Sequence, residues 1–202
     1  MSLSTMRELF VHELADAMSS EQIIVKMLPE LQKESENADA KQAFKDHEAE
    51  TRQQIKNLQQ VFKLLNEKPE ETTCYATEGL KKEHEALHEE DPTPLVMQMG
   101  IVAGAAKTEH YEIATYTSLV QMARDLGERE VVTLLKENLD QEKAMAKRVQ
   151  ALAKDLGKAA RIDGIDADDD EGDDKRRRLL AGGKKNKTKK KTKCELPSIL
   201  AP

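Results

Sequence analysis

The sequence predicts an all-α fold: an antiparallel bundle of four long helices, a long crossover connection carrying one short extra helix, and a charged tail. Three observations carry this. The 202 residues are rich in Leu, Ala, Glu, Gln and Lys, while aromatics make up 3% and Trp is absent, a composition that favours helices. Apolar residues recur at three-, four- and seven-residue spacings over four long stretches. The length suits one domain, 1–160, with a sizeable core, followed by a tail, 161–202.

Thr5 and Glu8 form a capping-box pair that starts the first helix, which is expected to run to about Ser35 with a bend near Pro29. Its stripe is Phe10, Leu14, Ala17, Ile24 and Leu28, and the residue at the centre of that stripe is Glu21. Asn37 or Asp39 caps a second helix, which ends before Lys68-Pro69. Its apolar face carries Ala40, Ala43, Phe44, Leu58, Val61, Phe62 and Leu65, interrupted by His47 and Gln54 near the middle and Glu50 at one edge.

The connection from Pro69 to Pro94 contains a short helix, Thr77 to Glu89, and is long enough to cross the bundle. The third long helix starts at Pro94 and stops at Leu126-Gly127. Within it, Glu112 shares a face with Ile101, Ala105, Tyr116, Leu119 and Ala123, and Glu109 lies to one side. The fourth runs from Glu128 to Leu156, with Gly157 as its stop. Its stripe is Val131, Leu135, Val149, Ala153 and Leu156, around a central Glu142.

Each long helix therefore carries an acid on or beside its buried face. Glu21 and Glu50 are 29 positions apart, and Glu112 and Glu142 are 30 apart, as two similar hairpins require. Packed together, the hairpins bring these acids to one level. Carboxylates in a low-dielectric core repel one another and are costly unless protonated, paired or metal-bound. Two divalent cations would turn that liability into a site, as in di-iron and di-manganese carboxylate bundles.

The segments Glu21 to Pro29, His47 with Glu50-Thr51, Cys74 with Glu78-Gly79-Leu80, Glu109-His110-Tyr111-Glu112, and Leu139 to Lys143 resemble the YciE/YciF-type proteins. These are a bacterial, stress-associated, ferritin-like family. The likeness spans Thr5 to Leu156, and EHYEIA is its most specific part. It implies a ferritin-like bundle, a homodimer and a rubrerythrin-like dinuclear site, without a settled reaction.

The ligand set differs from the common ferritin-like pattern of a His three residues after Glu. Gln53 follows Glu50 at that spacing and Met145 follows Glu142, so oxygen donors dominate, which suits iron or manganese. The expected metal residues are Glu21, Glu50, Glu112, Glu142, Glu109 and His47, with Gln54 and Tyr116 as supporting partners. Two Fe or Mn ions per chain are expected, iron favoured. His110 points away from Glu112, toward the surface or a dimer contact. Ala146 stands where the family leads one to expect an acid.

Cys74 and Cys194 make no disulfide framework, and the N-terminus lacks a signal-peptide pattern, so a cytoplasmic protein is expected. The longest apolar run, Pro94 to Ala106, is too short for a membrane span. The net charge is -6, but the tail alternates an acidic block, Asp163 to Asp174, with Lys-rich runs that are expected to be disordered. Asp166, Asp168 and Asp170 fail as a calcium loop, because Gly172 is one place late and Arg177 stands where Glu is required.

Three functions are compatible with these residues. The first is a di-metal protein acting on O2 or peroxide in oxidative or metal stress, by Fe(II) oxidation or peroxide decomposition. The second is a non-enzymatic, dimeric helical interaction protein. The third is a protein that binds nucleic acid weakly through the Lys-rich tail.

Overall fold

The computed structural model describes residues 3–165. Among them the secondary structure is helical: α1 (Met6–Glu34), α2 (Ala38–Leu64), α3 (Tyr75–Glu89), α4 (Pro94–Asp125) and α5 (Arg129–Ile165). Helix α1 begins with the expected capping box, in which Thr5 accepts from the Glu8 amide and Glu8 accepts from the Thr5 amide. Asn37 rather than Asp39 caps α2, its Oδ1 accepting from the Ala40 amide at 2.9 Å. Pro94 occupies the first turn of α4, where its missing N–H is tolerated.

Helices α1, α2, α5 and α4 pack as successive neighbours around a ring. Two apolar clusters give their directions. Phe10 and Leu14 of early α1 meet Leu58, Val61 and Phe62 of late α2, Leu119 and Ala123 of late α4, and Val131 and Leu135 of early α5. At the other end, Ile24 and Leu28 meet Phe44, Ile101 and Val149. Every neighbouring pair is thus antiparallel. The chain leaving α2 must travel the bundle's length before α4 starts, and α3 lies in that crossover against α1 and α4. This is the ferritin-like arrangement.

Three details depart from the sequence reading. Helix α3 starts at Tyr75, two residues early. Cys74 is held there by its own amide, which donates to Ser19 Oγ at 3.0 Å, and its carbonyl accepts from Glu78. Helix α5 continues through Gly157 to Ile165. Its core face goes on across that glycine, from buried Leu156 to buried Ala159, so packing outweighs glycine's weak helix propensity. The stripe of α5 also runs through Leu152, which is buried, and not Ala153, which is exposed. The first residues of the expected tail, 161–165, with the start of the acidic block, belong to α5; the rest of that block, the failed calcium loop, Cys194 and the Lys-rich nucleic-acid reading lie past residue 165, outside the described residues. No described helix is long and apolar enough to cross a membrane.

The two glycines expected from sequence to end helices make opposite predictions. Gly127 has φ +79°, a conformation that costs an L-residue about 1–2 kcal/mol. Gly127→Ala should lower the denaturation midpoint accordingly. Gly157 has ordinary backbone and nothing within 4 Å of an added Cβ, so Gly157→Ala should raise stability by about 0.5–1 kcal/mol. Urea unfolding of both variants checks the pair, and destabilisation by Gly157→Ala would mean that α5 ends there.

Candidate metal centre

Between the two apolar clusters lies one layer of polar side chains. From α1 it receives Glu21; from α2, His47, Thr51 and Gln54; from α4, Glu109 and Glu112; and from α5, Asn138 and Glu142. All are at most 2% exposed. The helical repeat accounts for the set. Each residue sits one turn from apolar neighbours on its own helix, so the face that fills the core must carry it inward.

His47, Glu109, Glu112 and Glu142 each offer one ligand atom, all within 4.8 Å of one another. This buried His/Glu cluster could hold a metal ion. His47 Nε2 is 3.5 Å from Glu109 Oε1 and 3.9 Å from Glu142 Oε2. Its Nδ1 lies 3.4 Å from Glu50 Oε2. Glu21 joins the layer from the opposite side, where the Tyr116 hydroxyl donates to its Oε1. Glu50 differs from the rest: its side chain is 40% exposed and touches the layer only through His47.

The chemistry of the donor set decides whether a cation fits. Glu21 Oε2, His47 Nε2, Gln54 Oε1, Glu109 Oε2, both oxygens of Glu112 and Glu142 Oε2 are buried without a hydrogen-bond partner. Among the described residues no Lys or Arg pairs with these acids; the one ion-pairing partner they have is His47. Leaving one such group unsatisfied costs about 1–3 kcal/mol, and more when charged. A metal ion held by His47, Glu109, Glu112 and Glu142 would meet the unpartnered atoms of that cluster, so the residues fit a metal.

Burial pushes the carboxyl groups of Glu21, Glu109 and Glu112 well above the ordinary glutamate range. Neighbouring carboxylates push the same way: Glu142 acts on Glu21 and Glu109, and Glu21 leads the charges acting on Glu112. Tyr116 is pushed up by burial and then by Glu21, so its hydroxyl keeps its proton and remains a donor.

A directed chain of hydrogen bonds supports the layer. Gln53 Nε2 donates to Asn57 Oδ1 at 3.0 Å, Asn57 Nδ2 to Asn138 Oδ1 at 2.8 Å, and Asn138 Nδ2 to the Tyr116 oxygen at 3.0 Å. With its oxygen already accepting, Tyr116 turns its own proton toward Glu21. Gln54 Nε2 donates to Glu142 Oε1. Gln54 and Tyr116 thus each hydrogen-bond a carboxylate of the layer. Asn57 and Asn138 were not singled out from sequence. Their signal was available, since Asn138 lies one turn before Glu142 and Asn57 one turn after Gln54.

Of the other positions noted in the sequence, Met145 is buried in the apolar core. His110 is exposed, its ring bonding the Ala106 carbonyl. Ala146 faces outward and lines, with His110 and Lys143, an apolar groove of about 590 Å³ between α4 and α5.

A family model described as "Domain of unknown function (DUF892)" matches residues 5–161, which takes in every residue of this layer. The chain belongs to the DUF892 family. It is similar to Protein YciF of Escherichia coli (strain K12), 36% identical over 154 residues, which cover 76% of this chain and 93% of YciF. The crystal structure of the E. coli stress protein YciF superposes with a TM-score of 0.74 at 35% identity, covering 77% of this chain and 99% of that one. YcfI from Rhodopseudomonas palustris gives 0.72 at 39% identity, over 74% and 95% of the two chains. This DUF892 chain thus shares both the fold and the length of its bundle with YciF.

The raised carboxyl values set a sign for pH dependence. In metal-free protein the folded state holds protons that the unfolded chain has already released. This contribution is complete below the ordinary value of 4.5 and is lost as pH rises through the raised folded values. The thermal midpoint of metal-free protein should therefore fall between pH 5 and pH 8. Glu112→Gln, which keeps the volume and cannot ionise, should flatten that fall. An unchanged slope in this variant would show that Glu112 does not titrate in the layer.

Proposed function

We propose that the polar layer binds two iron or manganese ions, iron favoured, and that the protein acts in oxidative or metal stress by oxidising Fe(II) or decomposing peroxide. One observation carries this reading: a buried His/Glu cluster in which, among the described residues, Glu21 Oε2, His47 Nε2, Glu109 Oε2, both Glu112 oxygens and Glu142 Oε2 have no hydrogen-bond partner. Similarity to a stress protein agrees with it. Glu21, Glu109, Glu112 and Glu142 together carry the four negative charges that two divalent ions balance. His47 adds a nitrogen donor, and Glu50 would complete the set from the exposed edge.

When bound, such ions supply one-electron redox chemistry and Lewis acidity toward O2 or peroxide. The protein's own part is to hold and shield. Gln54 orients Glu142, Tyr116 orients Glu21, and the apolar clusters on both sides keep bulk water away. A cavity of about 30 Å³ reaches His47 and Glu109 past Ile24, Phe44, Thr77 and Leu80. That is room for one water-sized molecule, the size class of O2 and peroxide.

Anaerobic loading with Fe(II) or Mn(II), followed by addition of O2 or peroxide, tests turnover. The wild type should oxidise Fe(II) or consume peroxide well above the buffer rate. Glu142→Ala should lower that rate at least about 100-fold, and Gln54→Ala about 10-fold, the lower end for loss of a ligand's supporting partner. A wild-type rate equal to buffer with both metals would leave the second reading, a helical interaction protein. The apolar groove between α4 and α5 favours that reading.

A further inference from the structure

A second cluster of metal-ligating side chains lies at the far end of α1, outside the polar layer. His84 and His88 are four residues apart on α3, so both rings leave the same helix face. Both reach one carboxylate oxygen: Glu34 Oε2 is 2.8 Å from His84 Nε2 and 3.3 Å from His88 Nε2. The rings stand edge to face with centroids 5.1 Å apart, so both Nε2 atoms converge on Glu34 without stacking. The three ligand atoms lie within 4.8 Å of one another.

Glu34 is 13 positions from Glu21 on the same helix, roughly 20 Å along its axis, so the two clusters cannot share an ion. Among the described residues no Lys or Arg pairs with Glu34; its ion-pair partners are these two histidines. The surroundings are also unlike those of the buried layer. Side-chain exposures are 28% for Glu34, 16% for His84 and 46% for His88, so solvent can complete a coordination sphere.

We propose that Glu34, His84 and His88 form a separate site for a borderline divalent cation, of which Zn2+ is the representative. Two imidazoles and one carboxylate suit zinc, copper or nickel, whereas the oxygen-rich layer suits iron or manganese. Binding replaces the two Nε2–H contacts to Glu34: each ring presents its Nε2 lone pair and carries its remaining proton on Nδ1. The ion then ties the crossover helix α3 to the end of α1. Thr77 and Leu80 of the same helix wall the small cavity beside His47 and Glu109, so occupancy would hold that wall in place.

The test is titration of full-length, untagged protein with Zn2+, and with Cu2+ for its spectrum, comparing wild type, His88→Ala, the His84→Ala/His88→Ala pair and Glu112→Gln. The wild type should bind one more Zn2+ than the double variant, or bind it at least about 100-fold more tightly. Cu2+ in wild type should show coupling to two nitrogens, and His88→Ala should show one fewer. Zn2+ should slow amide hydrogen exchange in 75–89. Glu112→Gln should retain the extra equivalent, which separates this site from the buried layer. Equal Zn2+ binding by wild type and the double variant, or the same copper coupling in His88→Ala, would overturn the proposal. His88 is nearly half exposed, so its removal leaves the fold intact, and circular dichroism verifies this.

Discussion

A layer of buried acceptors with too few donors among the described residues, set between two apolar halves of a helical bundle, is the constraint on which the rest of this structure depends. Apolar packing above and below fixes the spacing of the four helices, and it leaves Glu21, Glu109, Glu112 and Glu142 almost wholly buried. Four like charges in that setting must be protonated or met by a cation. Protonation, favoured by the raised carboxyl values of Glu21, Glu109 and Glu112, relieves the repulsion without metal, and metal binding is the alternative at neutral pH. The same residues therefore link stability, pH and function.

The layer is asymmetric. On the α1 and α5 sides its carboxylates are held from behind, by Tyr116 on Glu21 and Gln54 on Glu142. The chain from Gln53 through Asn57 and Asn138 sets the direction of the tyrosine proton. Glu109 and Glu112 have no such backing, and both oxygens of Glu112 are unpartnered. Held ligands on one side and free ones on the other leave room for the carboxylates to adjust to an ion. Glu50, on the exposed side of His47, adds a group that solvent can reach.

Much of this was legible in the sequence, for physical reasons that differ between residues. A mid-helix acid flanked by apolar residues at three- and four-residue spacings can face only the core, so Glu21, Glu112 and Glu142 were readable from periodicity. Caps were readable because Thr5 and Asn37 carry side-chain acceptors at helix starts. Helix α5 was not fully readable. Gly157 has the propensity of a stop, but only tertiary packing of Ala159 decides that the helix continues, and Ala153 and Leu152 are adjacent candidates for one stripe. Helical spacing places Asn57 and Asn138 on the faces of Gln54 and Glu142, but that they bond each other and Tyr116 depends on how the helices pack, which no local pattern supplies. The convergence of His84 and His88 on Glu34 needs the path of the crossover helix, which no local pattern supplies.

The most direct test of the central claim is elemental analysis of purified full-length protein from cells supplied with both iron and manganese, alongside Glu112→Ala. About two Fe or Mn per wild-type chain are expected, the stoichiometry of dinuclear carboxylate bundles, with a large loss in the variant. Wild-type protein that holds neither metal, even after anaerobic loading with Fe(II) and Mn(II), would contradict the claim. The buried acids would then be protonated structural groups.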